Sequence, residues 1–264
     1  MDFIEIEYRE KNTPNLTVAE MQSHDYYELY FLLEGTRDIF FENKMFILPQ
    51  KSFCVFPPFH LHKTEGGFYK RIIVYISREL LTPTEESFLQ TCRNSVAFHI
   101  SPEDSRFFFD FLKKAAFIKE TTPNRKEYLL AFTKTLFYFL QTYKLTPVSH
   151  TAALPSQPQN DSFILKVVSF INNNYSQPIS LDSLSKEFFI SKNTLCKRFQ
   201  STMKCSIMSY CTYVRLNEAK QLLLSTNKSL DKIAEECGFS SANYFSLIFK
   251  QKIGLSPLNW KKKR

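Results

Sequence analysis

Through the first eighty residues, apolar positions come in short aromatic and β-branched runs. After residue 100 they recur every three or four residues instead. The runs 27–35, 37–43, 45–50, 52–58 and 68–77 read as strands, with Gly35, the prolines and Asn43-Lys44 as turn signals between them. Many short strands at close spacing predict a small antiparallel barrel or jelly roll, a shape that can enclose a ligand.

From Pro102 the period changes to that of a helix. Glu103 and Asp104 suit the positive end of its dipole, and a second helix spans 125–144. In that second helix Leu129, Phe132, Leu136, Phe139 and Tyr143 form one stripe, yet Tyr128, Leu130, Phe137 and Leu140 fall outside it. A helix apolar over so much of its circumference needs two partners. The barrel is one, and the same helix of a second copy is the other, which predicts a homodimer. Residues 146–160, rich in Pro, Ser, Thr and Gln, read as a linker, so the domains are 1–145 and 161–264.

Beyond the linker everything reads as helix. Asp161 caps a helix with Ile164, Val167, Val168 and Ile171 inward, and a long helix runs from about Ile207 to Leu224 with Tyr210, Val214, Ala219 (or Leu216), Leu222 and Leu223 inward. Two short helix pairs flank the long helix and are copies of each other. Leu181-Asp182-x-Leu184 matches Leu230-Asp231-x-Ile233 at an offset of 49, as Ile190 matches Phe239. Past the turn the offset is 50: Ser191 with Ser241, Leu195 with Phe245, Phe199 with Phe249, Met203 with Ile253, Ser206 with Ser256, Tyr210 with Trp260. Gly238 stands where the first helix of the second copy must stop. Two helix-turn-helix units, about 181–202 and 229–252, can place two recognition helices in successive major-groove segments, about 34 Å apart.

Charge supports that reading. Residues 160–264 carry 16 Lys+Arg against 7 Asp+Glu, whereas residues 1–159 carry 18 against 19. The basic half calls for an anionic partner. A membrane-surface protein would set its basic residues opposite a continuous apolar face, but these interleave with a repeated core. The six cysteines form no CxxC pair and read as reduced thiols. With no signal-peptide pattern and no membrane-length apolar run, a cytoplasmic protein is expected.

One constellation in the strand region concerns ligand chemistry. His24, Glu28 and Gly35, followed by Pro57-x-Phe59-x-x-His62, resemble the two-part signature of cupins, in which three histidines and a glutamate hold a metal inside the barrel. Gln22 stands at the first histidine position and Phe59 at a glycine position. With one imidazole missing, Gln22, His24, Glu28 and His62 are expected to line an effector pocket rather than hold a metal, and His60 and His99 to lie on the surface. The same gap argues against a cupin enzyme.

The C-terminal hundred residues resemble the DNA-binding domain of AraC/XylS-type transcriptional regulators. Ala234-x-x-x-Gly238-Phe239-Ser240, Tyr244-Phe245-Ser246, Phe249-Lys250, Gly254-x-Ser256-Pro257-x-x-Trp260 and Arg215-Leu216-x-x-Ala219 carry the likeness. The fold this implies is α+β: a cupin-like antiparallel barrel with two helices, then an all-α domain of two helix-turn-helix units joined by a long helix. The implied function is sequence-specific binding of promoter DNA by an activator that answers to an unidentified small molecule and contacts RNA polymerase. No catalysis or cofactor is implied.

On the recognition helices Lys192, Asn193, Cys196, Lys197 and Gln200 face outward in the first unit, and Ala242, Asn243, Tyr244, Ser246 and Leu247 in the second. In the family the positions of Asn193, Cys196 and Lys197 tend to contact bases. Asn reads adenine and Lys reaches guanine or phosphate. Leu247 stands where the family often has a basic residue, so the second unit is expected to position the domain, through Lys250, Lys252 and helix-start amides, with Ser241 also among the expected DNA-binding residues. The basic tail Lys261–Arg264 reads as nonspecific.

Overall fold

A computed structural model describes residues 2–12, 21–41, 44–95, 97–142, 145–148 and 160–263. The side chains of residues 93–95, 102, 104, 160 and 161 are also outside the described set. Asn43, Tyr143, Arg264, most of the expected linker (149–159), and the side chains of Pro102, Asp104 and the expected cap Asp161 are therefore not described. The chain forms two compact units, Met1–Pro155 and Ser156–Arg264.

The N-terminal unit is built on an antiparallel sheet. β1 (Ile4–Lys11), β2 (Tyr27–Phe41), β3 (Lys44–Pro49), β4 (Ser52–Phe56), β5 (His62–Glu65), β6 (Tyr69–Ile76), β7 (Ala97–His99) and β8 (Thr146–Pro147) all pair antiparallel. β2 is the hub. Its first half, Tyr27–Gly35, lies between β4 and β6, and its second half, Thr36–Phe41, lies between β3 and β5.

Gly35 therefore does not separate two strands, as the turn signal suggested. One strand of 15 residues runs through it and changes partners there. Gly35 sits at φ +90, and a Cβ on it would lie 2.3 Å from the Phe68 carbonyl oxygen, so the close passage of that loop needs the missing side chain.

Three helices accompany the sheet, where the periodicity suggested two: α1 (Pro83–Ser95), α2 (Pro102–Ala116) and α3 (Arg125–Thr142). α1 buries only Leu89 and Cys92 among its described side chains, too sparse a pattern to announce itself. α3 buries Leu129, Leu136, Phe137 and Leu140, whereas Phe132 and Phe139 of the expected stripe are half-buried. Thr146 and Pro147, expected in the linker, pair with Phe98 and His99 as an edge strand of the sheet.

The C-terminal unit is all helical: α4 (Asn160–Asn174), α5 (Leu181–Glu187), α6 (Lys192–Met203), α7 (Ile207–Ser225), α8 (Leu230–Glu236), α9 (Ala242–Ile253) and α10 (Pro257–Lys262). Ser180, Ser191, Ser206, Ser229, Ser241 and Ser256 cap α5 to α10 in turn, each hydroxyl accepting from the amide three residues on. These are three pairs of repeat-related serines, so the duplication extends to the helix starts. α7 buries Ile207, Tyr210, Cys211, Val214, Leu216, Ala219 and Leu223, while Leu222 is half-buried. The long helix is thereby a spacer between the two helix pairs of this unit, α5–α6 and α8–α9.

Candidate nucleic-acid interface

Both units turn by the same device. In the first, the Ile190 amide donates to the Ser185 carbonyl; in the second, the Phe239 amide donates to the Ala234 carbonyl, 2.8 Å away. Each is a helix end closed by an amide bonded five residues back, with a left-handed residue between. That residue is Phe189 at φ +51 in the first copy and Gly238 at φ +75 in the second. Phe189 can bear a side chain because it points into solvent, 97% exposed. At Gly238 a Cβ would lie 2.5 Å from the Tyr175 carbonyl oxygen and 2.8 Å from that of Ser176.

The same carbonyl region is held from the other side, where Arg215 Nε donates to Tyr175 O at 2.8 Å and Nη2 to Gln177 O at 2.9 Å. Arg215 and Gly238 thus clasp the end of α4. That is a structural role for two positions of the family-like pattern.

Past the turns, Leu195, Phe199 and Met203 anchor α6, and Phe245 and Phe249 anchor α9. Their burial forces the opposite faces outward. On α6, Asn193 and Lys197 are exposed and Cys196 is half-buried. On α9, Asn243, Tyr244 and Lys250 are exposed and Ser246 is half-buried. Lys197 and Lys250 make no ion pair or hydrogen bond with any described residue. Lys192 is different, because its ammonium pairs with Asp182 of α5. Ser241 spends its hydroxyl on capping α9. Leu247 is exposed as expected, an apolar residue on an otherwise polar helix face.

Sequence reasoning passed over Arg198. Its guanidinium lies 4.4 Å from the centre of the Phe163 ring, so it packs α6 onto α4. Lys252, expected to touch the DNA backbone, lies over the Tyr213 ring at 5.6 Å.

The N-terminal unit has its own site. A cavity of about 410 Å³ is lined by Gln22, Glu28, Arg37, His62, Tyr69 and Arg71 among others, while His24, also expected to line it, reaches it only through Glu28. His24 Nε2 and Glu28 Oε2 are 3.0 Å apart, and His62 Nε2 lies 3.5 Å from the same oxygen. Each ring is oriented by its other nitrogen, His24 Nδ1 on Tyr26 O and His62 Nδ1 on His60 O. Burial alone would raise the Glu28 carboxyl, but the two imidazoles overcome it and hold it at about 2.

The structure thus brings His24, Glu28 and His62 together, their ligand atoms within 4.8 Å of one another. Three such donors could hold a divalent cation, each imidazole braced by a carbonyl. Gln22 joins them through its backbone, its amide and carbonyl pairing with those of His62. His60 and His99, expected on the surface, are half-buried and hydrogen-bonded to Pro58 O and Ser52 Oγ.

Comparison with known proteins places the helix-turn-helix repeat in a family of like sequence. Residues 184–263 match a family model described as a helix-turn-helix domain. The HTH-type transcriptional regulator YfiF of Bacillus subtilis (strain 168) is 26% identical over 247 residues, 90% of this chain and 77% of that one. The HTH-type transcriptional activator RhaR of Klebsiella pneumoniae is 28% identical over 109 residues, 41% of this chain and 39% of that one. Against that relative and two other HTH-type regulators, this chain spans 34–39% of their length. A solved AraC-type DNA-binding protein from Chromobacterium violaceum is 28% identical, covering 39% of this chain and 91% of that one, with a TM-score of 0.37.

The C-terminal unit is a DNA-binding helix-turn-helix domain of the AraC type, and the chain is a transcriptional regulator carrying that domain. No described helix is long and apolar enough to cross a membrane.

Proposed function

We propose that the chain is a one-component regulator in which α6 and α9 read promoter DNA and the N-terminal cavity binds a small molecule that alters that reading. The observation that carries the DNA half is the duplication itself. Two helix-turn-helix units with matched serine caps are joined by one buried-faced helix, and each exposes an unpaired lysine, Lys197 and Lys250. α6 offers Asn193 and Lys197 beside Cys196 and supplies most base readout. α9, with Leu247 outward, mainly positions the domain on phosphates.

Ligand in the cavity would shift the balance between two arrangements of the chain, and so its affinity for the promoter. An activator role, with contact to RNA polymerase, follows from the family resemblance and from the role named for RhaR. Dimerisation is supported by the aromatic face of α2 and α3. There Phe107 packs on Phe139 at 5.5 Å and Phe111 on Phe132 at 4.7 Å, while Phe107 and Tyr138 stay largely exposed.

Selection of bound sequences from random duplex DNA tests the central reading. The expected result is enrichment of one strongly specified block, read by α6, with at most weak preference about 10 base pairs away, where α9 lies on the backbone. No enrichment of any sequence overturns it.

A further inference from the structure

The cavity in the N-terminal unit has too much unanswered positive charge to be a site for a neutral ligand. Arg37 is 3% exposed. Its Nη atoms donate to Gly66 O at 3.0 Å and Thr64 O at 2.7 Å, both uncharged, and its Nε has no partner. Arg71 is bound still less. Its guanidinium lies 5.1 Å from the Tyr30 ring centre and 5.0 Å from that of Tyr69, and its Nε is also unsatisfied. Tyr69 is held between the two cations, with Arg37 4.6 Å from its centre.

Neither guanidinium pairs with a carboxylate among the described residues. Glu28 is the only carboxylate among the described lining residues, and His24 and His62 already occupy it. Stacking on a ring contributes about 0.5–2 kcal/mol, whereas taking a charge out of water costs several times that unless an opposite charge meets it. A buried fork, Arg37, and a half-buried one, Arg71, line one cavity, each with a buried Nε–H that has no partner, and together they lack an anion.

We propose that the ligand of this cavity is a small organic acid whose oxyanion, carboxylate or phosphate monoester, sits on Arg37 and Arg71. The proposal rests on the sensory reading of the cavity given above and narrows it to a chemical class. The guanidinium fork suits both oxyanions, since each presents paired oxygens. A cavity of about 410 Å³ holds a metabolite-sized body behind the charged group. Tyr75 and Ile73 supply the apolar wall for that body.

The test uses the full chain and matched probes: succinate against succinamide, and glycerol phosphate against glycerol, at equal ionic strength. The readout is hydrogen–deuterium exchange of the peptides covering β2 and β6. This localises binding to the N-terminal unit and ignores phosphate held by the basic C-terminal one. Protection of β2 and β6 by at least one oxyanion probe, absent with its neutral partner, is expected. Arg71→Gln should weaken that protection about tenfold or more, and Arg71→Lys should recover part of it.

Which oxyanion protects separates carboxylate from phosphate. Arg71 is preferred to the more buried Arg37 as a target, and retention of DNA binding by each variant shows that it folds. Equal protection by neutral and charged probes, no protection by either acid at millimolar concentration, or an unchanged response in Arg71→Gln would each overturn the proposal. A mobility shift on the same samples keeps the two readings apart. DNA binding that persists while the exchange result is negative sinks the anion alone, whereas loss of specific DNA binding sinks the regulator.

Discussion

Replacing Gly238 by alanine isolates the cost of a single methyl group against a backbone. Two effects are combined at this position. The left-handed conformation at φ +75 costs any L-residue about 1 kcal/mol. The new Cβ would also meet Tyr175 O at 2.5 Å and Ser176 O at 2.8 Å, so the end of α4 or the turn must move. Overpacking of that kind costs about 1–3 kcal/mol, giving a total of about 2–4 kcal/mol.

Gly254 provides the control. It has a similar φ of +84 but nothing within 4 Å of its Cβ position, so Gly254→Ala should cost only about 1 kcal/mol. The matched position in the first copy, Lys204 at φ +59, carries a side chain already.

The assay is clean because the chain has one tryptophan. Trp260 is buried in the C-terminal unit against Phe249, 5.7 Å between ring centres, so its fluorescence reports that unit's unfolding within the full protein. With a urea m-value of about 1.5 kcal/mol/M, a loss of about 3 kcal/mol moves the midpoint down by about 2 M, and a loss of about 1 kcal/mol by about 0.7 M. Equal shifts in the two variants would refute the clasp of the α4 terminus and leave only backbone strain.

Lys197→Ala should relax discrimination at a defined base pair, whereas Lys250→Ala should weaken matched and mismatched duplexes alike and reduce the salt slope by about one. Competition binding at several salt concentrations checks this, and equal losses for both variants on both duplexes would reject the division of labour. Cys196 should react with a thiol reagent before Cys92 and Cys237, which burial pushes up to about 12, and its modification should block DNA binding. Peptide mapping of the label, with a mobility shift alongside, decides it. Glu28 has a folded value of about 2 against an ordinary 4.5. A lowered folded value stabilises fully above about pH 4.5, and that stabilisation is lost as pH falls toward 2. Amide exchange of β2 should therefore rise through that window, and less so in Glu28→Gln, whereas identical acid limbs would count against the buried carboxylate.

The local code carried most of the C-terminal unit. The short helices, their inward faces and the stop at Gly238 depend on residues within a turn or two of each other, and each appears where the spacing put it. The outward faces of α6 and α9 followed from their inward ones. What the sequence left undecided involves partners far apart in the chain. Arg215 belonged to a pattern, but only the fold brings it 40 residues back to the Tyr175 carbonyl. Gly35 read as a turn because glycine usually is one, until Phe68 was seen passing too close for a side chain. The sparse face of α1 and the edge strand β8 are fixed by the sheet they cover, not by their own periodicity.

The cavity shows the same limit. His24, Glu28 and His62 were legible as a signature, while Arg37, Tyr69 and Arg71 were unremarkable strand residues. Alternation along a strand tells which residues share a face, but not which strand lies opposite. Pairing of β2 with β5 and β6 is a long-range choice, made by the burial of whole faces at once. That choice sets two unpaired guanidinium groups in one cavity beside the histidine–glutamate cluster.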